Sequence, residues 1–298
     1  MALEQARPAP VASRVSGDGR SRGGWEPPTW ALAALGVVYV AAVAGLIFAP
    51  GGTFIERLRA LDGGICAQLP SHSFFFANQQ LPLCSRNTGI YTGFSLGFLT
   101  LLGTGRIRGM RLPGKWVALT LVGLVAIMGI DGFNSLFLDL GLPHLYQPEN
   151  LLRLLTGLGA GVAMVSFITP VTNSLLWRVD DDRPSFATFR QLAVVLPLLL
   201  LAFLAIGSQT MGAQTGWLLY PIAILSTLGL LMALTLVNLV FILTFTPLMG
   251  RFTRWRQVFL VFTIGAALAV GELLLLFQVK QAALALLATQ LAPSAPLH

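Results

Sequence analysis

The chain has 298 residues, of which 55% are hydrophobic and only 10% are charged. Soluble globular proteins carry about 25% charged residues, so this composition excludes an ordinary soluble protein and indicates an integral membrane protein. The net charge of +7 would suit a nucleic-acid-binding protein, but the placement of the charges points to a different origin.

Apolar stretches close to the roughly 20 residues needed to cross a bilayer recur along the chain. Only helices and closed barrels satisfy their backbone in lipid, and the alternating pattern of a barrel is missing. The sequence therefore predicts an all-α membrane protein with about seven transmembrane helices. These predicted spans cover residues 30–49, 88–104, 116–138, 151–171, 191–208, 218–248 and 257–279.

The basic residues are concentrated in alternate loops. Four basic residues precede the first span. Further basic residues lie in the loop after span two (Arg106 to Lys115), in the loop after span four (Arg178 to Arg190) and in the loop after span six (Arg251 to Arg256). By the positive-inside rule these loops are cytoplasmic. We therefore expect a cytoplasmic N-terminus, an external C-terminus and a multi-pass protein of the prokaryotic cytoplasmic membrane. No nucleic-acid partner is expected.

The predicted domain organisation is simple. Residues 1–29 are rich in Arg, Pro, Gly and Ser and should form a disordered cytoplasmic lead. A polytopic membrane domain follows over residues 30–290, and residues 291–298 form a tail. The apolar run of the first span continues to Ala49, so we expect an uncleaved signal anchor.

The longest external segment runs from residue 51 to residue 87 and contains Phe74, Phe75 and Phe76. Three phenylalanines are too few to span a membrane. They favour a short interfacial or re-entrant segment between spans one and two.

Both cysteines, Cys66 and Cys84, belong to this external segment. In an oxidising compartment such a pair is usually a disulfide. Free buried thiols, and thiols that serve metal or redox chemistry, remain alternatives. His72 could join the cysteines as a metal ligand, but structural zinc requires four ligands, so we predict no metal site.

Two spans carry an arginine and a row of glycines on one helix face. Arg86 precedes Gly89, Gly93 and Gly97, and Arg153 precedes Gly157 and Gly161 at the same helical spacing. Glycines at this spacing let helices approach closely in lipid, within one chain or in an oligomer. If these two faces meet, two guanidinium groups converge outside the membrane, where they suit phosphate or carboxylate recognition.

Acidic and amide side chains accompany the arginines. Asp131 and Asn134 share a face near the outer end of span three, and Glu149 and Asn150 precede span four. Ionisable groups in a membrane are costly, so Asp131 is a functional candidate, as a base or an ion ligand, with Asn134 orienting a substrate. Alternatively, Asp131 and Glu149 neutralise Arg86 and Arg153 and only fix the helix packing.

The last spans offer fewer candidates. Glu272 is an intramembrane carboxylate that could bind a proton or cation, or extend to the membrane surface. Asn238 is expected to form hydrogen bonds between helices. Motifs for nucleotide binding, hydrolase nucleophiles and paired-histidine zinc sites are missing, and no cofactor is predicted.

The stretch from Cys66 to Gly93 resembles the prokaryotic membrane family called domain of unknown function 2085, and the resemblance extends over about residues 60–165. The residues of the family pattern present here include Cys66, Gln68, Pro70, Ser73, Phe74, Leu81, Pro82, Cys84, Arg86, Thr88, Gly89, Ile90, Tyr91, Gly93, Asp131, Gly132, Arg153, Thr156 and Gly157. The resemblance adds Thr88 and Tyr91 as supporting site residues. It implies no activity.

The chain departs from the family pattern at three positions. Ala67 replaces a histidine, His72 replaces an arginine and Asn87 replaces a cysteine. The Cys/His ligands that a family metal site would need are therefore depleted in this chain.

Three functions remain open, and the sequence does not decide whether the protein is an enzyme. The first is a membrane protein that binds or processes an anionic lipid-linked group through Arg86 and Arg153. The second is a transporter that uses Asp131 and Glu272. The third is a scaffold or assembly subunit whose arginines pair only internally.

Overall fold

A computed structural model describes residues 28–48, 52–179, 181–211 and 215–291. Nearly all of the predicted lead and of the predicted tail, residues 1–27 and 292–298, lies outside these ranges. The described helices are α1 (Thr29–Phe48), α2 (Phe54–Asp62), α3 (Ser85–Gly103), α4 (Lys115–Asp139), α5 (Asn150–Leu176), α6 (Phe189–Leu192), α7 (Leu196–Gly207), α8 (Leu219–Phe245) and α9 (Trp255–Leu291). A short hairpin, β1 (Phe75–Phe76) and β2 (Gln79–Gln80), precedes α3.

Five helical segments in the described chain are long and apolar enough to cross a membrane, namely Lys115–Asp139, Asn150–Leu176, Phe189–Gly207, Gly216–Phe245 and Trp255–Ala288. They match the third to seventh predicted spans, so the prediction of an all-α membrane protein is confirmed. The first two predicted spans are also helical, as α1 and α3, but neither is among these five.

Helix α3 lies inside the bundle. It packs against α5 on one side and α8 on another, while α4 covers α5 and α9 covers α8. Its polar Ser85, Thr88 and Thr92 are buried against protein. A helix enclosed in this way does not need the apolar surface that lipid demands.

The predicted glycine faces of α3 and α5 meet. A methyl group added to Gly93 would lie 2.3 Å from the Leu158 carbonyl oxygen, and one added to Gly161 would lie 2.0 Å from the Ile90 carbonyl oxygen. The backbones are therefore in direct contact, with no room for side chains between them. Within one chain these faces are occupied, so an oligomer could use them only by displacing this contact.

The segment of three phenylalanines folds as the hairpin. Phe75 pairs with Gln80, and the two turn residues Ala77 and Asn78 have left-handed φ angles of 47° and 64°. Alternation along the strand buries Phe74 and Phe76 and leaves Phe75 exposed. The buried rings pack on the apolar residues of α2, α5 and α8, so the predicted interfacial segment is a folded cap on one end of the bundle.

The opposite end of the bundle joins three basic loops, which follow α3, α5 and α8. The Arg108 guanidinium lies 4.0 Å from the ring centroid of Trp177, a cation–π contact, and the Trp177 indole donates to Asn173 Oδ1 at 3.1 Å. Asn173 in turn donates to the carbonyl of Ile107 at 2.8 Å. The loops that the charge pattern assigned to one side therefore share one end of the fold.

Helix α9 continues beyond residue 279, where the predicted seventh span ends. Its 37 residues correspond to about 55 Å at 1.5 Å per residue, against a hydrocarbon core of about 30 Å. Residues 280–291 contain no glycine or proline and are mostly strong helix formers, so nothing in the sequence ends the helix at residue 279.

We predict that Gly161→Ala destabilises the protein by about 3 kcal/mol, because the new methyl group must push α3 and α5 apart. Denaturant unfolding of the detergent-solubilised protein measures the effect. The matched control is Gly123→Ala on α4, where a methyl group would have no neighbour within 4 Å. Equal stability of the two variants would contradict the close contact.

Candidate functional site

Polar side chains from α3, α4 and α5 converge at the end of the bundle that carries the hairpin. We call this group the arginine cluster, and it consists of Arg86, Asp131, Asn134, Ser135, Tyr146, Asn150 and Arg153. The glycine contact between α3 and α5 places its two arginines together, as the sequence predicts for faces that meet.

Arg86 forms an ion pair with Asp131. Its Nη2 lies 2.6 Å from Asp131 Oδ2 and 3.1 Å from the Asp131 carbonyl oxygen, and its Nε lies 3.3 Å from the same Oδ2. The Asp131 side chain is almost fully buried, with 2% exposed, whereas that of Arg86 is 22% exposed. The pairing predicted as the structural alternative is therefore present for Asp131.

The second carboxylate oxygen of Asp131 accepts a hydrogen bond from Tyr146. The phenolic oxygen lies 2.8 Å from Asp131 Oδ1. Burial, together with this hydrogen bond to the carboxylate, raises the pKa of Tyr146 to about 12. Tyr146 therefore stays a neutral hydrogen-bond donor over the whole physiological pH range. Each carboxylate oxygen of Asp131 accepts at least one hydrogen bond, Oδ2 from Arg86 and Oδ1 from Tyr146.

Asn134 holds the loop between α4 and α5. Its Oδ1 accepts the backbone N–H of Leu145 at 2.7 Å and that of Tyr146 at 3.3 Å, and its Nδ2 donates to the Tyr146 carbonyl at 2.9 Å. These three hydrogen bonds engage both polar atoms of the Asn134 amide and fix the backbone of Tyr146. Asn134 therefore positions Tyr146 against Asp131.

Arg153 is more deeply buried than Arg86, with 4% of its surface exposed. Its Nε donates to Ser135 at 3.3 Å and its Nη1 to Asn150 at 3.0 Å. No carboxylate of the described ranges lies within 4.0 Å of its guanidinium. A buried guanidinium bound only by neutral oxygens retains a strong capacity for an anion.

The predicted partner of Arg153 does not form an ion pair with it. Glu149 meets Arg153 only through the backbone, where the Arg153 N–H donates to the Glu149 carbonyl at 3.0 Å. Four residues separate them, but Glu149 precedes the first helical residue of α5, so its extended backbone does not place its side chain on the helix face of Arg153.

His72 lies beside the cluster. Its Nε2 is 3.4 Å from Asp139 Oδ1, and burial together with the charge of Arg153 lowers the pKa of His72. Asn150 connects this region to the hairpin segment by donating to the Ser71 carbonyl at 3.1 Å. The structure thus brings His72 and Asn150 to the predicted site.

Three other predicted site residues lie apart from the cluster. The Thr88 hydroxyl donates to the Leu83 carbonyl at 3.1 Å in the turn before α3. Tyr91 packs against Leu61 and Leu230 beside α8. Glu272 accepts a hydrogen bond from Asn238 at 3.2 Å, so Asn238 links α8 to α9 as predicted.

Sequence reasoning missed a buried carboxyl group at Asp62. It is fully buried, its Oδ2 accepts from the Thr227 hydroxyl at 2.8 Å, and its Oδ1 has no hydrogen-bond partner in the described part of the chain. Burial raises the pKa of Asp62 to about 7. The helical spacing of Asp62 with the apolar Ile55 and Leu58 in α2 was a usable signal, because it places all three on one face.

The predicted cysteine pair is brought together but is not bonded in this structure. Cys66 and Cys84 are free thiols, and the backbone N–H of Cys84 donates to the Cys66 sulfur at 3.2 Å. The disulfide therefore stays a prediction for the oxidised protein. Within the described ranges, no group of three or more His, Cys, Asp or Glu residues is placed to hold a metal ion.

We predict that Asp131→Ala destabilises the protein by about 3 kcal/mol, because it leaves the Arg86 guanidinium without its counter-charge. The double variant Asp131→Ala with Arg86→Met should recover much of this loss. Tyr146→Phe, which removes one hydrogen bond, should cost about 1 kcal/mol. Denaturant unfolding in detergent measures all three, and an unchanged Asp131→Ala protein would contradict the ion pair.

We also predict a pH dependence from Asp62. Because its folded pKa lies above the unfolded value, the folded state binds the additional proton, so stability is highest at low pH and falls as pH rises from about 4 to 7. Asp62→Asn, which imitates the neutral acid, should remove this slope and be more stable than the parent protein at pH 8. Melting temperatures between pH 5 and pH 8 measure it, with Asp182→Asn, an exposed position, as control.

Comparisons with known proteins match the region that contains the arginine cluster. The family model described as "Predicted membrane protein (DUF2085)" matches residues 66–167, which contain both cysteines and every member of the arginine cluster. Helices α1 and α2 and the region from α6 to α9 lie outside the match. No solved structure matches the chain.

Two archaeal proteins are similar to the same region. An uncharacterized protein of Methanocaldococcus jannaschii is 31% identical over 121 residues, which cover 41% of this chain and 72% of the relative. An uncharacterized protein of Methanothermobacter thermautotrophicus is 32% identical over 118 residues, covering 39% of this chain and 93% of the relative. Because most of each relative is matched at this identity, the chain belongs to the membrane protein family called domain of unknown function 2085.

Proposed function

We propose that this protein binds an anionic head group, carried by a membrane lipid or a lipid-linked compound, at the arginine cluster. The observation that carries the proposal is Arg153, a buried guanidinium whose contacts among the described residues are neutral oxygens. Phosphate and carboxylate groups match the planar donor fork of arginine.

The charges of the cluster favour this ligand class. Asp131 is already paired with Arg86, and the nearby Asp139 is directed to His72 instead. An arriving anion would therefore meet Arg153 without first breaking an ion pair. Arg86, at 22% side-chain exposure, would add a second positive charge at the same place.

Binding is a better match to the geometry than processing of the ligand. A general base needs a free lone pair within hydrogen-bond reach of its substrate. Asp131 Oδ2 accepts two hydrogen bonds from Arg86, and Oδ1 accepts one from Tyr146, so a single lone pair remains on a side chain that is 2% exposed. Asn134 is engaged by backbone groups. Asp131 and Asn134 would thus shape the site. For Asp131 to act as a base, or Asn134 to orient a substrate, their present hydrogen bonds would first have to break.

The proposed membrane orientation follows from the charges. The positive-inside rule makes the end with the three basic loops cytoplasmic, so the arginine cluster would face the extracytoplasmic leaflet of a prokaryotic cytoplasmic membrane. In this arrangement α1 and α3 are the first and second of seven spans, with the N-terminus inside and the C-terminus outside.

We predict that the purified protein retains phosphatidylglycerol in preference to phosphatidylcholine, and that Arg153→Gln lowers the affinity for phosphatidylglycerol about tenfold. A lost charge-assisted hydrogen bond, worth about 1.5 kcal/mol, produces this change. Native mass spectrometry of detergent micelles with increasing lipid measures it. Inorganic phosphate, added as a competitor, separates recognition of the head group from recognition of the acyl chains.

The matched control is Arg111→Gln, an exposed arginine in a basic loop at the other end of the bundle. It should bind the lipid like the parent protein, and the melting temperature of each variant must be measured to exclude loss of folding. Unchanged lipid binding by a folded Arg153→Gln variant would contradict the proposal and favour a scaffold role. Ion flux that depends on Asp131 and Glu272 would favour the transporter alternative.

A further inference from the structure

The Cys66 sulfur accepts a hydrogen bond from the backbone N–H of Cys84 at 3.2 Å. An N–H directed at a sulfur stabilises the thiolate form, and the interaction with Cys84 lowers the pKa of Cys66 to about 6. A purely structural disulfide has no need for a donor in this position.

The two cysteine residues differ in exposure. Cys66 is buried with 3% of the residue exposed, whereas the Cys84 residue is only partly buried, immediately before the first residue of α3. An external reactant would therefore reach the Cys84 residue first. Cys66 lies behind it, where it can act on a sulfur bonded to Cys84.

The two cysteine segments are held together by Gln68. Its side-chain amide nitrogen, Nε2, donates to the carbonyls of Arg59 and Pro82, both at 2.7 Å. Pro82 is two residues before Cys84, and Gln68 is two residues after Cys66. The sulfurs are thus kept adjacent by hydrogen bonds that do not depend on a bond between the cysteines.

A buried acid and an ammonium group flank Cys66. Asp62 is the last residue of α2, and the turn that follows it, in which the Ile65 N–H donates to the Asp62 carbonyl at 3.3 Å, leads directly to Cys66. One buried carboxylate oxygen of Asp62 has no hydrogen-bond partner in the described chain. Lys280 of α9 donates to the Cys66 carbonyl at 2.8 Å. The hydrogen bond to Cys66, together with burial, raises the pKa of the Cys84 thiol, so Cys84 needs a neighbouring base to release its proton.

We propose that Cys66 and Cys84 form a reversible, redox-active dithiol–disulfide pair that reacts with external disulfides through Cys84, and that Asp62 accepts the proton released during the reaction. The proposal is independent of the anion ligand assigned to the arginine cluster.

The exchange balances with a small-molecule disulfide as oxidant. Cys84 transfers its proton to the Cys66 thiolate and attacks the external disulfide, which forms a mixed disulfide at Cys84 and releases one thiolate. Cys66 then passes the proton to Asp62 and attacks the Cys84 sulfur, which closes the protein disulfide and releases the second thiolate. Two electrons reach the oxidant, and the proton leaves Asp62 for one of the two thiolates.

The reverse direction explains why the stabilised sulfur is the buried one. An external thiolate attacks the Cys84 sulfur, and Cys66 is the leaving group. A thiol with a lowered pKa leaves faster, so the N–H directed at Cys66 makes the disulfide easy to reduce without unfolding.

The experiment equilibrates the purified, detergent-solubilised protein with mixtures of reduced and oxidised glutathione, followed by acid quenching, maleimide labelling and mass spectrometry. The parent protein should change from two labels to none at an intermediate glutathione ratio, and the change should reverse. Cys66→Ser should accumulate a glutathione adduct at Cys84. Cys84→Ser should react at Cys66 at least about tenfold more slowly, because that sulfur is buried.

Asp62→Asn tests the proton acceptor. It should slow closure of the mixed disulfide about tenfold or more at pH 7 while leaving the first attack by Cys84 unchanged, and Asp182→Asn should alter neither step. Two thiols that never oxidise, or a disulfide that is reduced only when the protein is denatured, would overturn the redox assignment. Equal closure rates in the Asp62→Asn and parent proteins would overturn the role of Asp62.

Discussion

The contact between α3 and α5 is the constraint on which the rest of this structure depends. Gly89 and Gly93 on one helix meet Gly157 and Gly161 on the other so closely that carbonyl oxygens occupy the space of the absent side chains. Lipid supplies no hydrophobic force to hold two helices together, so close packing must do it. The same contact fixes the distance between the arginines that begin these two faces.

Two guanidinium groups that converge repel each other unless negative charge lies beside them. Within the arginine cluster, Asp131 supplies this charge to Arg86. Asp131 forms an ion pair with Arg86 and accepts a hydrogen bond from Tyr146. Asn134 positions Tyr146 through hydrogen bonds to the loop backbone. Arg153 receives only the dipoles of Ser135 and Asn150. The asymmetry between these two arginines is the basis of the proposal that the cluster binds an anion, since a salt bridge that only closes the bundle would leave neither guanidinium without a carboxylate.

Local spacing made the glycine faces, the convergence of Arg86 with Arg153 and the proximity of Asp131 predictable. The contribution of Tyr146 was not, because it depends on how the loop between α4 and α5 returns to α4. Ser135 was overlooked, although it lies on α4 four residues after Asp131 and so shares its helix face. For Glu149, the spacing along the sequence predicted an ion pair that the structure does not contain. Its distance of four residues from Arg153 favours a contact only if both residues are helical, and Glu149 is extended.

The fold, like the arginine cluster, was predictable from the sequence only in part. Hydropathy predicted seven spans, and five of them are helices long and apolar enough to cross a membrane. It could not distinguish α3, whose surroundings are protein, and it could not indicate that the phenylalanine segment closes the bundle as a hairpin. Asp62 was overlooked because it precedes two glycines in a stretch interpreted as a loop, although α2 carries it into the interior.

The first turn of α3 is where these features act on one another. Its leading amide donates to the Cys66 sulfur, and two residues later Arg86 turns to Asp131. The charge of Arg86 also acts on Cys84, and that of Cys84 acts on Arg153. An anion at the arginine cluster would weaken the positive field near the thiols, and a closed disulfide would remove the thiolate charge from that field. The close approach of α3 and α5 therefore places the proposed anion site and the thiol pair within electrostatic reach of each other.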